Sequence, residues 1–152
     1  MTVPARDARE RKRDALHRLA HDIDLWVATA DSDGIPYLVP LSYLWDGATL
    51  LLATPATSPT GRNLQASGEV RLGLGPTRDV VLITGTVQTL AASEIPPELG
   101  DAFAARTGFD PRQLTTPYLY FRVQPRRLQA WREANELDGR ELMRDGEWII
   151  PD

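Results

Sequence analysis

The spacing of hydrophobic and polar positions changes soon after the chain begins. Over Ala8–His21 charged residues dominate, and Leu16, Leu19 and Ile23 recur on one face, which predicts a helix. From Asp24 the period drops to that of strands. Asp24–Ala30 (DLWVATA) reads as a strand closed by the turn Asp31-Ser32-Asp33-Gly34. Ile35–Trp45 is a second strand, ended by Asp46-Gly47, and Ala48–Thr54 is a third. The short connections make these three an antiparallel meander. Pro36 and Pro40 have no N–H to give a ladder, so the second strand needs an edge or an irregular stretch there.

Pro55–Gln65 breaks the alternation as a polar loop that turns into a short helix near Thr60. Val70, Leu72 and Leu74 then alternate with Arg71 and Gly73, the mark of a half-buried strand. Asp79–Leu90 is a long strand in which Gly85 is either a bulge or a close backbone approach. Pro96–Thr107 has helical spacing of Leu99, Phe103 and Arg106, with Gly108 as a stop. Tyr118–Val123 and Arg126–Arg132 read as two strands interrupted by Pro125, and Glu141–Ile150 as a hairpin about Asp145-Gly146. Six to seven antiparallel strands with a few short capping helices predict a mainly β, closed or partly open barrel. Neither a repeat nor a linker divides residues 1–152, so a single domain is expected.

Composition narrows the function classes. The 152 residues are 42% hydrophobic and 25% charged, a globular balance. The first fourteen residues are charged, without the apolar run of a secretory signal, and no stretch reaches the ~20 apolar residues of a membrane helix. A cytoplasmic protein with no membrane partner is expected. The absence of cysteine removes disulfides and thiolate chemistry. A net charge of −4 argues against a nucleic-acid partner. The one basic cluster, Arg9, Arg11, Lys12 and Arg13, is interleaved with Asp7, Glu10 and Asp14, with Asp7–Arg11 and Asp14–Arg18 at ion-pair spacing; it reads as a solvated helix face.

Candidate chemistry is concentrated between the third strand and the helix after it. Thr54, Thr57, Ser58, Thr60, Arg62 and Asn63 gather hydroxyls, an amide and a guanidinium where a strand ends and a helix starts. Helix N-termini present unpaired N–H groups and a positive dipole end, so the cluster suits a phosphate; on the residues alone a plain N-capped surface loop is the more ordinary use of them. His17 and His21 have the i,i+4 spacing of metal ligands, yet no other histidine or cysteine completes a site, so no metal is expected. There is no G-x-S-x-G turn and no G-x-G-x-x-G after a strand, which disfavours hydrolase and Rossmann readings. The tail from Trp131 to Trp148 is rich in tryptophan and arginine, a composition suited to an interface over 131–150.

Taken in order, YLVPLSYLWDGATLLLAT, TSPTGRNL, VRLGLGPTRDVVLITGTVQ and the tail W-R-E-x-x-E-L-x-G-R-x-L-M-R-D-G-x-W resemble the pyridoxamine 5′-phosphate oxidase-like family of FMN-binding split barrels. The resemblance runs from about Asp22 to Ile150. It implies a Greek-key split barrel, a homodimer, and an FMN-dependent oxidoreductase with a nicotinamide donor or oxygen as second reactant. It further implies that backbone along Tyr37, Leu38, Val39, Pro40, Leu41 and Ser42 lies against the isoalloxazine ring. Thr54, Ser58, Thr60, Arg62 and Asn63 would hold the phosphate and ribityl chain, and Trp131 and Arg140 would reach the flavin from the partner subunit. No catalytic residue is assigned. Where the vitamin oxidases carry S-R-K, this chain has Ser58-Pro59-Thr60, and where they carry R-L-H-D-R it has Glu136-Leu137-Asp138-Gly139-Arg140. Two acids in place of cations would repel a phosphorylated substrate, so pyridoxamine phosphate itself is not the expected substrate. The alternatives are a deazaflavin coenzyme on the same fold, a non-catalytic flavin or haem carrier or sensor, and a barrel interaction module without cofactor.

Overall fold

A computed structural model describes residues 3–151; Met1 and Thr2, at the head of the N-terminal segment, and Asp152 lie outside the described residues. The elements are α1 (Ala8–His21), β1 (Asp24–Ala30), β2 (Pro36–Trp45), β3 (Leu50–Pro55), α2 (Pro59–Ser67), β4 (Glu69–Leu74), β5 (Val80–Leu90), α3 (Pro97–Thr107), β6 (Tyr118–Trp131), β7 (Glu141–Arg144) and β8 (Glu147–Trp148). The strands run in the order β3-β2-β1-β4-β5-β6, every pair antiparallel, and β3 pairs with β6 to close a six-stranded barrel. β7 and β8 extend the sheet beyond β6. The barrel is filled by inward residues such as Val27, Tyr43, Leu52, Leu72, Ile83 and Phe121. A second cluster, with Leu51, Ala53, Phe103 and Tyr120, lies where α3 covers the outer face of β3 and β6. Among the described residues no helix is long and apolar enough to cross a membrane.

β6 departs from the expected pair of strands: it is continuous for 14 residues through Pro125. The reason is a bulge. The β5–β6 register steps from Thr84↔Arg127 to Gly85↔Pro125, leaving Arg126 as the extra residue and bending the strand where proline cannot donate. A Cβ on Gly85 would stand 2.6 Å from Val123 Cγ1 and 2.9 Å from Gln124 O, so Gly85 marks both a bulge and a close approach. The C-terminal hairpin is shorter than expected, with Asp145 (φ 53°) and Gly146 (φ 81°) turning the chain between β7 and β8.

α1 buries a different face from the one its leucines suggest. Arg11, Lys12, Ala15 and Leu19 are buried, whereas Leu16 is half-buried and Ile23 lies exposed beyond the helix end. The basic cluster is therefore a solvated face only at Arg9 and Arg13, which are exposed; Arg11 and Lys12 are turned inward. Arg11 donates to the carbonyls of Glu136 (2.7 Å) and Asp138 (3.1 Å), and Lys12 donates to Ile150 O (3.0 Å) and lies over the Trp148 ring. Long cationic side chains are buried here because their heads reach C-terminal carbonyls. The expected i,i+4 pairs are also replaced: Asp7 caps the helix by accepting from Glu10 N–H, Asp14 pairs with Arg6, and Arg18 pairs with Asp22 and Asp79.

Candidate functional site: the split between β2 and β3

The barrel opens on one side because β2 and β3 part company. β2 pairs with β1 along Pro36–Ser42, but with β3 only over Tyr43–Trp45. β3 meanwhile follows β6 as far as Pro55↔Tyr118. Pro36–Ser42 thus pairs on one side only among the described strands, the open edge that Pro36 and Pro40 call for. A cleft of about 410 Å³ occupies the split, between Pro40–Ser42 and Ala53–Pro55, with Phe103, Phe109 and Tyr118 as its aromatic wall. Ser42 Oγ donates to Asp24 Oδ1 at 2.6 Å beside it. At the other end of the open stretch a hollow of about 280 Å³ separates Ile35–Tyr37 from Pro59, Arg62 and Asn63.

The β3–α2 turn facing this edge is tightly built. Ser58 caps α2 by accepting from Gly61 N–H (3.0 Å) and donates to Pro55 O (2.9 Å), while Thr54 Oγ1 lies 3.2 Å from Ser58 Oγ. A Cβ on Gly61 would overlap Pro55 O and stand 3.1 Å from Ser58 Oγ, so the turn closes only over glycine. Thr54, Thr60 and Asn63 are buried, and Asn63 donates to Thr29 Oγ1 of β1 at 3.1 Å, tying the helix to the barrel. Arg62 is exposed. The cap reading of this cluster is the one its hydrogen bonds show: the hydroxyls hold the turn together, and Arg62 carries the one outward charge beside them. Gly61→Ala should displace the turn at a cost of roughly 1–3 kcal/mol and weaken any ligand seated there. Denaturant unfolding and ligand titration of that variant check both effects, and unchanged values in both would show that the turn has room for a side chain.

The remaining expected site residues are dispersed. Val39, Leu41 and Ser42 are half-buried along the split and Tyr37 lines its far hollow, but Leu38 faces the outside of the barrel. There it joins Trp26 and Leu82 around a shallow groove of about 330 Å³ rimmed by Arg71 and Arg127. Trp26 is 52% exposed and Leu38 61%. Trp131 and Arg140 stand together, with the guanidinium 6.0 Å from the indole centroid. They sit at the far end of β6 from Tyr118, a whole strand length from the Thr54–Asn63 turn of the same chain. Val80↔Trp131 continues the ladder face of Leu82↔Gln129, so Trp131 belongs to the outer face as well.

Two sets of residues escaped the sequence reading. The aromatic wall comes from α3, the loop after it and the first residue of β6, all remote in sequence from β2 and β3. The outer groove had a signal: Trp26 is out of phase with the inward Leu25 and Val27, a large apolar residue on the face that alternation assigns to water.

Glu136 also needs correcting. It does not face a substrate: it is 2% exposed, and its carboxylate accepts from Arg6 N, Nε and Nη2 (2.8, 3.0 and 2.8 Å) and from Arg132 N–H (2.8 Å). Arg6 holds its carboxyl down at about 2. His17 and His21 are exposed with their rings stacked at 4.0 Å, and among the described residues no three metal-binding side chains converge. Burial raises the phenol of Tyr120 above its usual range, so it stays protonated beneath α3.

The family described as pyridoxamine 5′-phosphate oxidase matches residues 18–132, well over half the sequence. The chain belongs to this family. No curated protein matches it. Solved structures share the family's fold. One is a pyridoxamine 5′-phosphate oxidase-related, FMN-binding protein from Nostoc punctiforme (14% identity, TM-score 0.55, covering 86% of each chain). Another is an F420 reductase (19% identity, TM-score 0.57, covering 74% of this chain and 93% of the other). A protein of unknown function from Agrobacterium tumefaciens is 17% identical with a TM-score of 0.70; the match covers 87% of this chain and 60% of that one. At these identities the likeness is one of fold. The family includes flavin- and deazaflavin-related proteins, and the split fits such a group chemically. An open backbone edge suits a flat heterocycle, an aromatic wall suits its apolar rim, and a capped helix start with Arg62 suits a phosphorylated side chain.

Proposed function

We propose that the protein is a flavin-dependent oxidoreductase that binds FMN in the split between β2 and β3. The observation that carries this reading is the unpaired Pro36–Ser42 edge facing the Thr54–Asn63 turn across an aromatic-walled cleft. Backbone along the edge orients the ring system by hydrogen bonding, Phe103, Phe109 and Tyr118 shield it from water, and Arg62 neutralises the phosphate. When bound, the flavin supplies the hydride chemistry, and the protein supplies orientation and electrostatics. A nicotinamide or oxygen serves as the second reactant. A deazaflavin coenzyme is the second reading, favoured by the single cation in the turn and by the F420 reductase among the structural neighbours. Of the two acids that argue against a phosphorylated substrate, Asp138 alone is exposed, so that argument rests on it.

The active unit in this reading is a homodimer. A two-fold axis through the outer face would bury Trp26, Leu38 and Leu82 and set the Trp131–Arg140 end of one barrel against the Thr54–Asn63 end of the other. That arrangement accounts for the strand length separating the two halves of the site within one chain.

Purified protein carrying the visible band of an oxidised flavin, or tight binding of FMN on titration, is the expected result. Binding of the deazaflavin coenzyme instead favours the second reading, and binding of neither overturns both. A charge-assisted hydrogen bond is worth ~1.5–3 kcal/mol, so Arg62→Ala should weaken binding roughly ten- to a hundredfold while leaving the fold intact. Unchanged affinity in that variant would remove Arg62 from the site.

A further inference from the structure

The segment between β6 and β7, residues 132–140, carries Arg140 yet has almost nothing apolar to hold it. Its one large hydrophobic residue, Leu137, is 41% exposed. What fixes it is polar and comes from the opposite end of the sequence. The Glu136 carboxylate is enclosed by Arg6 and by Arg132 N–H. Asn135 Nδ2 donates to Val3 O (2.9 Å). Arg11, 6% exposed, reaches from α1 to the Glu136 and Asp138 carbonyls through separate nitrogens, and its guanidinium also lies 3.5 Å from Ala130 O. Gly139 follows with φ 72°, a left-handed turn that sends the chain back. Arg140 then donates from Nη1 to Leu137 O (2.9 Å), its own carbonyl accepts from Ala130 N–H (2.9 Å), and its guanidinium lies over Trp131.

We infer that Arg11 is a positioning residue for the cofactor site: from α1 it sets the 132–140 segment so that Arg140 and Trp131 are presented as a pair. The geometry is specific to arginine. One planar group satisfies carbonyls two residues apart from two separate nitrogens, which a lysine ammonium cannot match in shape. A buried cation is tolerable there because the Glu136 carbonyl would otherwise be buried without a donor. The inference rests on the proposed two-subunit site, in which Arg140 and Trp131 touch the partner's cofactor. α1 is thereby part of the site's construction.

The test is a double-mutant cycle on the full chain, with FMN as probe, or the deazaflavin coenzyme should that be what the wild type binds. Arg140→Ala is expected to weaken binding roughly tenfold or more, and Arg11→Ala to do nearly the same. Because Arg11 acts through Arg140, the double variant should bind no more weakly than Arg140→Ala alone, whereas an independent structural defect would multiply the two losses. Arg11→Lys should recover only part of the affinity, and it takes the place of Arg11→Ala in the cycle if the alanine variant does not fold. Multiplicative losses, or wild-type affinity in a folded Arg11 variant alongside a weakened Arg140→Ala, overturn the inference and leave the site intact. Wild-type affinity in Arg140→Ala instead overturns the site reading, and the inference falls with it.

Discussion

Glu136→Gln should lower stability at neutral pH by roughly 3 kcal/mol and flatten its dependence on acid. In the folded protein the carboxyl sits at about 2 rather than at its ordinary 4.5, chiefly because the Arg6 side chain donates to it. A depressed folded value means that the folded state favours the ionised form. The stabilisation is therefore complete above about pH 4.5 and is lost as pH falls from there toward 2. At ~1.4 kcal/mol for each unit of displacement, the whole amounts to roughly 3 kcal/mol. The amide oxygen keeps an acceptor for two of the four donors, but its NH2 group faces the other two, and Arg6, whose side chain is 9% exposed, loses the nearer of its counter-charges and keeps Asp14. For a domain of this size the loss corresponds to a fall in Tm of roughly 6–12 °C at pH 7. Unfolding followed from pH 7 to pH 2 should show wild type and variant converging as the acid rises. Parallel curves would mean that Glu136 contributes nothing through its charge.

Trp26→Asp should yield a folded monomer that has lost its cofactor. Trp26 projects from β1 to the outside of the barrel, so its replacement removes nothing from the core. In a dimer formed through the outer face, the same position would bury a carboxylate that the rim arginines Arg71 and Arg127 offset only in part, at a cost of several kcal/mol. Dimerisation and cofactor binding are linked when each site takes Trp131 and Arg140 from the partner, so loss of one lowers the other. The expected readings are a halved mass by light scattering, an unchanged circular dichroism spectrum and cofactor affinity reduced at least roughly a hundredfold. A variant that remains dimeric moves the interface elsewhere. A wild type that is monomeric and still binds cofactor tightly would return Trp131 to the role of a packing residue.

The strand pattern was legible because alternation is a local property with a physical cause: Leu25 and Val27 face the barrel interior, and their neighbours do not. Pro36 and Pro40 likewise announced an open edge, since a missing N–H is a fact about the residue itself. The cluster from Thr54 to Asn63 could be read as a site for the same reason, its chemistry lying within ten positions of sequence. What the sequence could not decide was which distant groups meet. Two strands about Pro125 became one because Gly85, forty residues earlier, leaves room for a bulge opposite it. Arg11 and Lys12 have the charges of a solvated face, and carbonyls more than a hundred residues away draw them inside. Glu136 looked like a carboxylate for a substrate to meet until Arg6 enclosed it. Residue type and spacing determined the strands, the open edge and the polar turn. Tertiary structure alone decided which charges are buried, because burying a charge depends on a partner whose position no local pattern records.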